Sequence, residues 1–483
     1  VSFDLRDYQT SFVTSIRAAF SAGKRRVLAV SPTGSGKTVM FVYIARGAAA
    51  RGKRICILVH RQELLDQTSR ALDEMGVEHG VIAGGRTGRK GAVQVASVQT
   101  LVRRLDQYPG FDMIVVDEAH HAAAGSWEKI MAAYPNAFVL GVTATPERLD
   151  GRGLGNHFSE IIVGPTVAEL IEQGYLSPYR LYAPTRPDLA EVQTRMGDYV
   201  AAELVAAMDK PTITGDAVDH YRRLAAGKRA LVFCVSIKHS EHVAAQFGGA
   251  GFSFLHIDGN TDPGTRMAGT RAFAKEQVQG LSNVDLFGEG YDVPGAEVAI
   301  LLRPTQSLGL FLQQCGRVLR PVYAPGFDLT TVGGRRAAIA AGPKPYAILL
   351  DHAGCCHMHG LPDDVREWSL EGRKKRRKSE ASEDGPAIRQ CDQCFAVCAA
   401  TLTACPACGK PFKVVGRPGP EQVDGELVEF RRDPEADRLK AMTYKESLAW
   451  AGTDIEKLYK IAKAKKYRRT WAMHVLRGQR RAG

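Results

Sequence analysis

Three sets of residues in this chain have the types and spacing to do chemistry. The first is Ser31-Pro32-Thr33-Gly34-Ser35-Gly36-Lys37-Thr38, set between an apolar run at 27–30 and a helix-like run at 39–45. Gly34 and Gly36 let the backbone curl around phosphate oxygens with its N–H groups inward, and a helix starting there adds partial positive charge. Lys37 then reaches the β- and γ-phosphates of a nucleoside triphosphate, and the Thr38 hydroxyl holds Mg²⁺. Thr33, Gly34, Ser35, Gly36, Lys37 and Thr38 are the candidate nucleotide-binding residues. Ser31 stands where the strict pattern has glycine, so the match is a variant. An ordinary glycine-rich turn is the alternative.

The second set is Asp117-Glu118, delivered by the apolar run Ile114-Val115-Val116. Two carboxylates at a strand end suit metal-assisted phosphoryl chemistry: Asp117 coordinates Mg²⁺, and Glu118 orients and deprotonates water. A plain acidic turn is the competing reading. The third set is Cys391-x2-Cys394 and Cys405-x2-Cys408, separated by ten residues. Two such knuckles supply four thiolates for tetrahedral Zn²⁺ with bonds near ~2.3 Å; free thiols or a redox pair are the alternatives. Cys398 adds an ambiguity, since Cys394 and Cys398 also bracket a site. Cys355-Cys356-His357-Met358-His359 carries soft ligands but lacks a second cluster at usable spacing, and is expected to pack locally.

These residues need elements to hold them. Apolar runs at 26–30, 55–59, 93–97, 113–116 and 138–142 alternate with helical patterns, which predicts a parallel sheet covered on both faces. A second alternating block has runs at 230–234, 252–257, 298–302 and 346–350. The expected organisation is a first α/β domain at 1–165, a connection at 166–215 and a second α/β domain at 216–370. A basic linker at 371–388, containing Arg373-Lys374-Lys375-Arg376-Arg377-Lys378, leads to a zinc ribbon at 389–415 and a basic helical region at 416–483.

Composition sets the outer limits. Apolar residues make up 45% of the chain, enough for a sizeable core, and the formal charge of +12 points to a polyanionic partner. No run of 18 apolar residues exists, and the opening Val1-Ser2-Phe3-Asp4-Leu5-Arg6 has no basic-then-apolar pattern, so a cytoplasmic, non-membrane protein is expected. The ten cysteines are not spread as a disulfide framework.

With Asp117-Glu118-Ala119-His120 behind the phosphate loop, the chain resembles superfamily 2 helicases, specifically their DEAH-box-like members. The resemblance implies two tandem RecA-like domains with ATP in the cleft between them. Leu5-Arg6-Asp7-Tyr8-Gln9 looks like the family's adenine-recognition motif, which assigns the base edge to Gln9 with Arg6 nearby. Thr143-Ala144-Thr145 looks like the motif linking hydrolysis to domain closure. Glu289-Gly290-Tyr291-Asp292-Val293-Pro294 looks like motif V, making Gly290 and Asp292 nucleotide-site candidates. Gln313-Gln314-Cys315-Gly316-Arg317-Val318-Leu319-Arg320 looks like motif VI. On a helix, Arg317 and Arg320 would face the same way. They, with Gln313, are the candidates for stabilising the transferred γ-phosphoryl group, two solvated surface arginines being the plainer reading.

Two helicase domains followed by a cysteine quartet resemble the RadD-like branch of bacterial and phage helicases, over residues 1–415. That implies an ATP-dependent DNA helicase or translocase, stimulated by nucleic acid and serving DNA repair, recombination or phage replication. An RNA helicase, or an ATP-gated zinc-containing DNA adaptor with little turnover, are the alternatives. Single-stranded or forked DNA is the expected partner, together with proteins at replication or repair sites. Strand contacts are expected at His60-Arg61-Gln62-Glu63, Ser97-Val98-Gln99-Thr100 and Ser236-Ile237-Lys238, each after a strand end. In the tail, Lys457, Lys460, Lys463, Lys465, Lys466, Arg468 and Arg469 interleave with Leu458, Tyr459, Ile461, Tyr467 and Trp471. This suits phosphates and bases, or equally a docked amphipathic helix.

Overall fold

The computed structural model describes the chain except residues 1–3, 88–90, 122–124, 148–152, 184–193, 196–197, 200–210, 285, 287–294, 372–387, 392, 395, 413–433, 466, 468–469 and 480–483. Gly290, Asp292, the basic run at 373–378, and Lys466, Arg468 and Arg469 of the tail lie outside the described residues. The chain forms two units, residues 1–413 and 414–483.

The first unit is built on two eight-stranded sheets. Strands β1 (Arg26–Val30), β2 (Ile55–Val59), β3 (His79–Ala83), β4 (Arg86–Thr87), β5 (Val93–Ser97), β6 (Met113–Asp117), β7 (Phe138–Thr143) and β8 (Glu160–Val163) form the first, in the order β4-β3-β5-β2-β6-β7-β1-β8. All pairs are parallel except β3 with the two-residue β4. Its central strands β2 and β6 are buried at every position, as a sheet with helices on both faces requires. One core layers Phe12, Phe41, Ile57 and Leu65 on one face, and another places Leu28, Ile114, Trp127 and Phe158 on the other.

The second sheet contains β9 (Tyr179–Tyr182), β12 (Ala230–Phe233), β13 (Phe254–His256), β14 (Gly280–Asn283), β15 (Val298–Leu301), β16 (Ala347–Asp351), β17 (Ile388–Gln390) and β18 (Ala396–Ala399). The short pair β10 (Thr194–Arg195) and β11 (Asp198–Tyr199) stands apart. The order is β13-β14-β12-β15-β16-β9-β18-β17. Pairing is parallel from β13 to β9 and antiparallel from there outward. Both sheets are of the RecA-like type the sequence suggested.

Three features were not anticipated. Strand β9 lies inside the stretch expected to be a connection, yet it pairs with β16 in the second sheet. The cysteine segment is not a detached ribbon, because its strand β18 pairs with β9 and lengthens that sheet. Finally, the segment after β16 returns to the first lobe: Trp368 packs against cores of both lobes, and Leu370 O accepts the Gly155 N–H at 2.8 Å.

Among the described residues, the second unit contains four short helices, Pro434–Ala441, Tyr444–Ala451, Ile455–Ala464 and Thr470–Gln479, where one basic helical segment was expected. Leu439, Leu458 and Ile461 form its core. Among the described residues, no helix is long and apolar enough to cross a membrane.

Candidate functional site

The adjacency of β6, β7 and β1 places three sequence motifs side by side at the C-terminal ends of these strands. Asp117 ends β6 in register with Val142 of β7, and Val30 of β1 is in register with Thr143. The chain leaving β1 turns through Gly34 (φ +87°) and Gly36 (φ +80°) into the Lys37–Ala49 helix. These left-handed angles are cheap only for glycine. Ser31, the departure from the strict pattern, donates its hydroxyl to Ser35 Oγ at 2.7 Å, and its N–H donates to Thr143 O at 3.0 Å. Serine here therefore braces the loop from within. Lys37 Nζ lies 3.4 Å from Pro32 O, across the mouth of the same loop.

Glu118 follows Asp117 at φ +51°, a strained conformation for a residue with a side chain. Its N–H donates to Asp117 Oδ1 at 3.1 Å. Thr143 Oγ1 donates to Thr145 O at 2.8 Å, so its contact at 3.0 Å with His120 Nδ1 requires that nitrogen to carry the proton. Glu118 Oε2, itself buried and accepting no hydrogen bond, lies 3.5 Å from the same nitrogen. The acidic pair and the Thr-Ala-Thr turn are thereby linked through His120.

Gln9 is engaged with the chain at both ends of its amide. Its Oε1 accepts the Arg6 N–H at 3.1 Å and its Nε2 donates to Ser35 O at 3.0 Å. Tyr8 OH donates to the same carbonyl at 2.7 Å. The Arg6 guanidinium lies 4.8 Å from the Tyr175 ring centroid and that of Arg335 lies 4.0 Å from it. Tyr8 lies in the motif quoted from the sequence but was given no role there, while Tyr175 and Arg335 were not singled out; they come from distant segments and share no spacing with it.

The second lobe supplies the opposite wall. The helix Leu308–Gly316 stops at Gly316, with Arg317 as its cap and Arg320 beyond it. This corrects the expectation that the two arginines share a helical face. Pro321 follows Arg320 and disfavours helix there, and the N–H groups of Arg317, Val318 and Leu319 each reach back only three residues. Gly316 brings this turn onto the phosphate loop: a Cβ on it would lie 2.5 Å from Thr33 Cβ. A Cβ on Gly34 would lie 3.8 Å from Arg320 Cγ, and one on Gly309 would lie 2.8 Å from Thr145 Oγ1. Gln313 is buried on the same helix.

Charges converge accordingly. Burial pushes the Lys37 ammonium below its ordinary range; Glu118 and Asp117 pull it back up, while Arg317 and Arg320 push it further down. Three cations beside two carboxylates make a pocket suited to a polyanion such as triphosphate with its metal ion.

Elsewhere, the Gln99 amide donates to His60 O at 3.3 Å, joining two expected strand-contact segments, whereas Ser236 caps its own helix through His239 N–H. Glu63 pairs with Arg266 of the second lobe at 3.0 Å. In the tail, Lys460 pairs with Glu435 at 3.1 Å, and Tyr467 and Trp471 rings lie 5.0 Å apart, so part of that basic-aromatic set serves its own bundle.

The sulfurs of Cys391, Cys394, Cys405 and Cys408 all lie within 4.8 Å of one another, and two of the separations are 3.8 and 3.6 Å. Tetrahedral bonds near ~2.3 Å require S···S edges of about 3.8 Å, so the quartet fits a metal ion. Backbone N–H groups of Cys394 and Gln393 help draw the Cys391 thiol down to about 7, which favours the thiolate. Cys398 is not part of the cluster. Cys355 and Cys356 are core residues whose N–H groups donate to buried Asp351, as local packing predicted.

Comparison with known proteins agrees with this geometry. The model of the family described as "Type III restriction enzyme, res subunit" matches residues 2–148, and "Helicase conserved C-terminal domain" matches 214–322. A 51.5 kDa protein of a Lactococcus phage is 32% identical over 439 residues, covering 90% of this chain and 88% of its own length. A candidate ATP-dependent helicase of Saccharomyces cerevisiae, IRC3, is 29% identical over 339 residues, 65% of this chain; the match spans about half, 49%, of that protein. Among solved structures, a fragment of an HsdR subunit of a type I restriction enzyme from Vibrio vulnificus superposes with a TM-score of 0.55 at 21% identity, over 74% of this chain and 67% of that one. With both lobes matched in order and the phosphate loop facing the arginine turn, the chain belongs to the superfamily 2 helicases and is an ATP-dependent helicase.

Proposed function

We propose that this protein is a DNA-stimulated ATPase that translocates on or separates DNA strands, of the RadD-like kind, serving repair, recombination or phage replication. The observation that carries this reading is the approach of the Gly316–Arg320 turn to the loop holding Lys37. In the proposed cycle Lys37 binds the β- and γ-phosphates, and Glu118 takes the proton of the attacking water as ADP and phosphate form. Thr38 and Asp117 would hold Mg²⁺, which would supply charge neutralisation to the phosphates. Arg317 and Arg320, together with Gln313, stabilise charge on the transferred group. The resemblance to the adenine-recognition motif assigns the base edge to Gln9 with Arg6, and the resemblance to motif V assigns Gly290 and Asp292 to the nucleotide site.

ATP touching both lobes favours their closure, and hydrolysis removes that preference. Each turnover thereby shifts one lobe against the other along a strand. The +12 charge supports a nucleic-acid partner, and backbone phosphates are the contacts a sequence-tolerant motor needs. The four thiolates would hold structural Zn²⁺. Titrating steady-state ATPase with single-stranded DNA, duplex DNA and RNA tests the proposal. The expected result is stimulation by DNA that disappears in Lys37→Ala. Greater stimulation by RNA favours an RNA helicase, and tight DNA binding without turnover favours an ATP-gated adaptor.

A further inference from the structure

Lys344 belongs to none of the motifs above, yet it is only 1% exposed. Its Nζ donates to Ala296 O and to Arg320 O, both at 2.7 Å. Pro343 and Pro345 flank it and restrict the backbone on either side. Gly342 permits the close fit, since a Cβ there would lie 2.6 Å from Val322 O.

An ammonium is costly to bury, and a methionine would fill the same space without that cost. What the lysine offers that methionine lacks is its pair of hydrogen bonds to main-chain carbonyls. One of its two acceptors is the backbone of Arg320 itself. The other, Ala296, lies just before β15 and just after the 289–294 stretch. Burial brings Lys344 down to about 7; Glu297 opposes that fall, while Arg229, Arg320 and Lys228 add to it. Glu297 is itself shared with Lys228 Nζ at 2.9 Å and the Arg229 N–H at 3.2 Å. Arg320 lies past the end of its helix, so no helical ladder holds its carbonyl; the lysine does.

We infer that Lys344 is a positioning residue for Arg320, tying that residue's backbone to the foot of β15 so that its guanidinium is presented to the phosphate loop. This rests on the role proposed for Arg320.

The test compares the wild type, K344M, R320A and the double variant by single-turnover ATP hydrolysis, binding of a fluorescent ATP analogue, and thermal unfolding. K344M is expected to lose ~100-fold in hydrolysis rate, the scale of a misplaced catalytic group, with nucleotide affinity and melting close to wild type. In the R320A background the same substitution should cost almost nothing more. Wild-type hydrolysis in K344M, or an equal fractional loss in both backgrounds, overturns the inference. Wild-type hydrolysis in R320A instead overturns the underlying assignment of Arg320. K344Q, which keeps an amide donor, is run alongside; if both variants unfold, Lys344 is a bulk stability element and the inference fails.

Discussion

The two lobes bring their chemistry to the same cleft by different means. In the first, Lys37, Asp117 and Thr143 stand at the start of a helix or the ends of strands, and the backbone pairing of β6, β7 and β1 sets their register, with side-chain bonds bracing the loop between. In the second, Arg317 and Arg320 stand past a helix end, and the position of Arg320 depends on a side chain bonding its carbonyl. The sheet edges differ in the same sense. The first closes on the two-residue β4 at one side, while the second is lengthened by a hairpin tied to the cysteine quartet. Regular elements fix a group by repetition along the chain. An irregular segment needs a specific partner from elsewhere, and is correspondingly easier to disturb.

Removing metal from the cysteine quartet should expose this asymmetry most strongly. Structural zinc contributes on the order of 10 kcal/mol to the folding of small zinc modules. Chelation, or Cys391→Ser, is therefore expected to release about one zinc per chain by mass spectrometry. It should also lower the unfolding temperature through the second sheet, because β18 pairs with β9. Zinc-free protein with unchanged melting would refute the link.

Arg317→Ala is next. It should leave ATP binding near wild type while lowering turnover by ~10³–10⁵-fold, the usual worth of a charge-stabilising arginine. A fall in nucleotide affinity with turnover preserved at saturation would remove the arginine from the reaction. Gly316→Ala is expected to act more gently, since its new Cβ must displace Thr33. Overpacking of about 1–3 kcal/mol should weaken closure and raise the KM for ATP ~5- to 150-fold; steady-state kinetics checks it. The smallest effect belongs to Glu63→Gln, which removes the inter-lobe pair with Arg266. A partly exposed ion pair is worth about 1 kcal/mol or less. Melting should shift by no more than a few degrees, and the shift should vanish at high salt.

Much of the first lobe is legible in the sequence. Its strands β1, β2, β5, β6 and β7 are short apolar runs with turn residues around them, and its loop and acidic pair lie within single contiguous stretches. Strand β14 was not legible: Gly280-Leu281-Ser282-Asn283 has poor strand composition. It is buried because Ser282 Oγ donates to Ser240 O at 2.8 Å and Asn283 Nδ2 to Val232 O at 2.8 Å. Strand β9 was read as connection for a related reason, since its apolar content makes sense only between β16 and β18.

The sequence by itself determined the alternating α/β pattern, the phosphate-binding turn and the pairing of four cysteines. Each is set by residues near one another in the chain, where spacing and backbone preference act directly. The tertiary structure decided that the arginines leave the helix, that the cysteine hairpin joins a sheet, and that a lysine between two prolines grips Arg320 from twenty-four residues away. Such contacts follow from which surfaces meet when the chain collapses, and no local spacing encodes them.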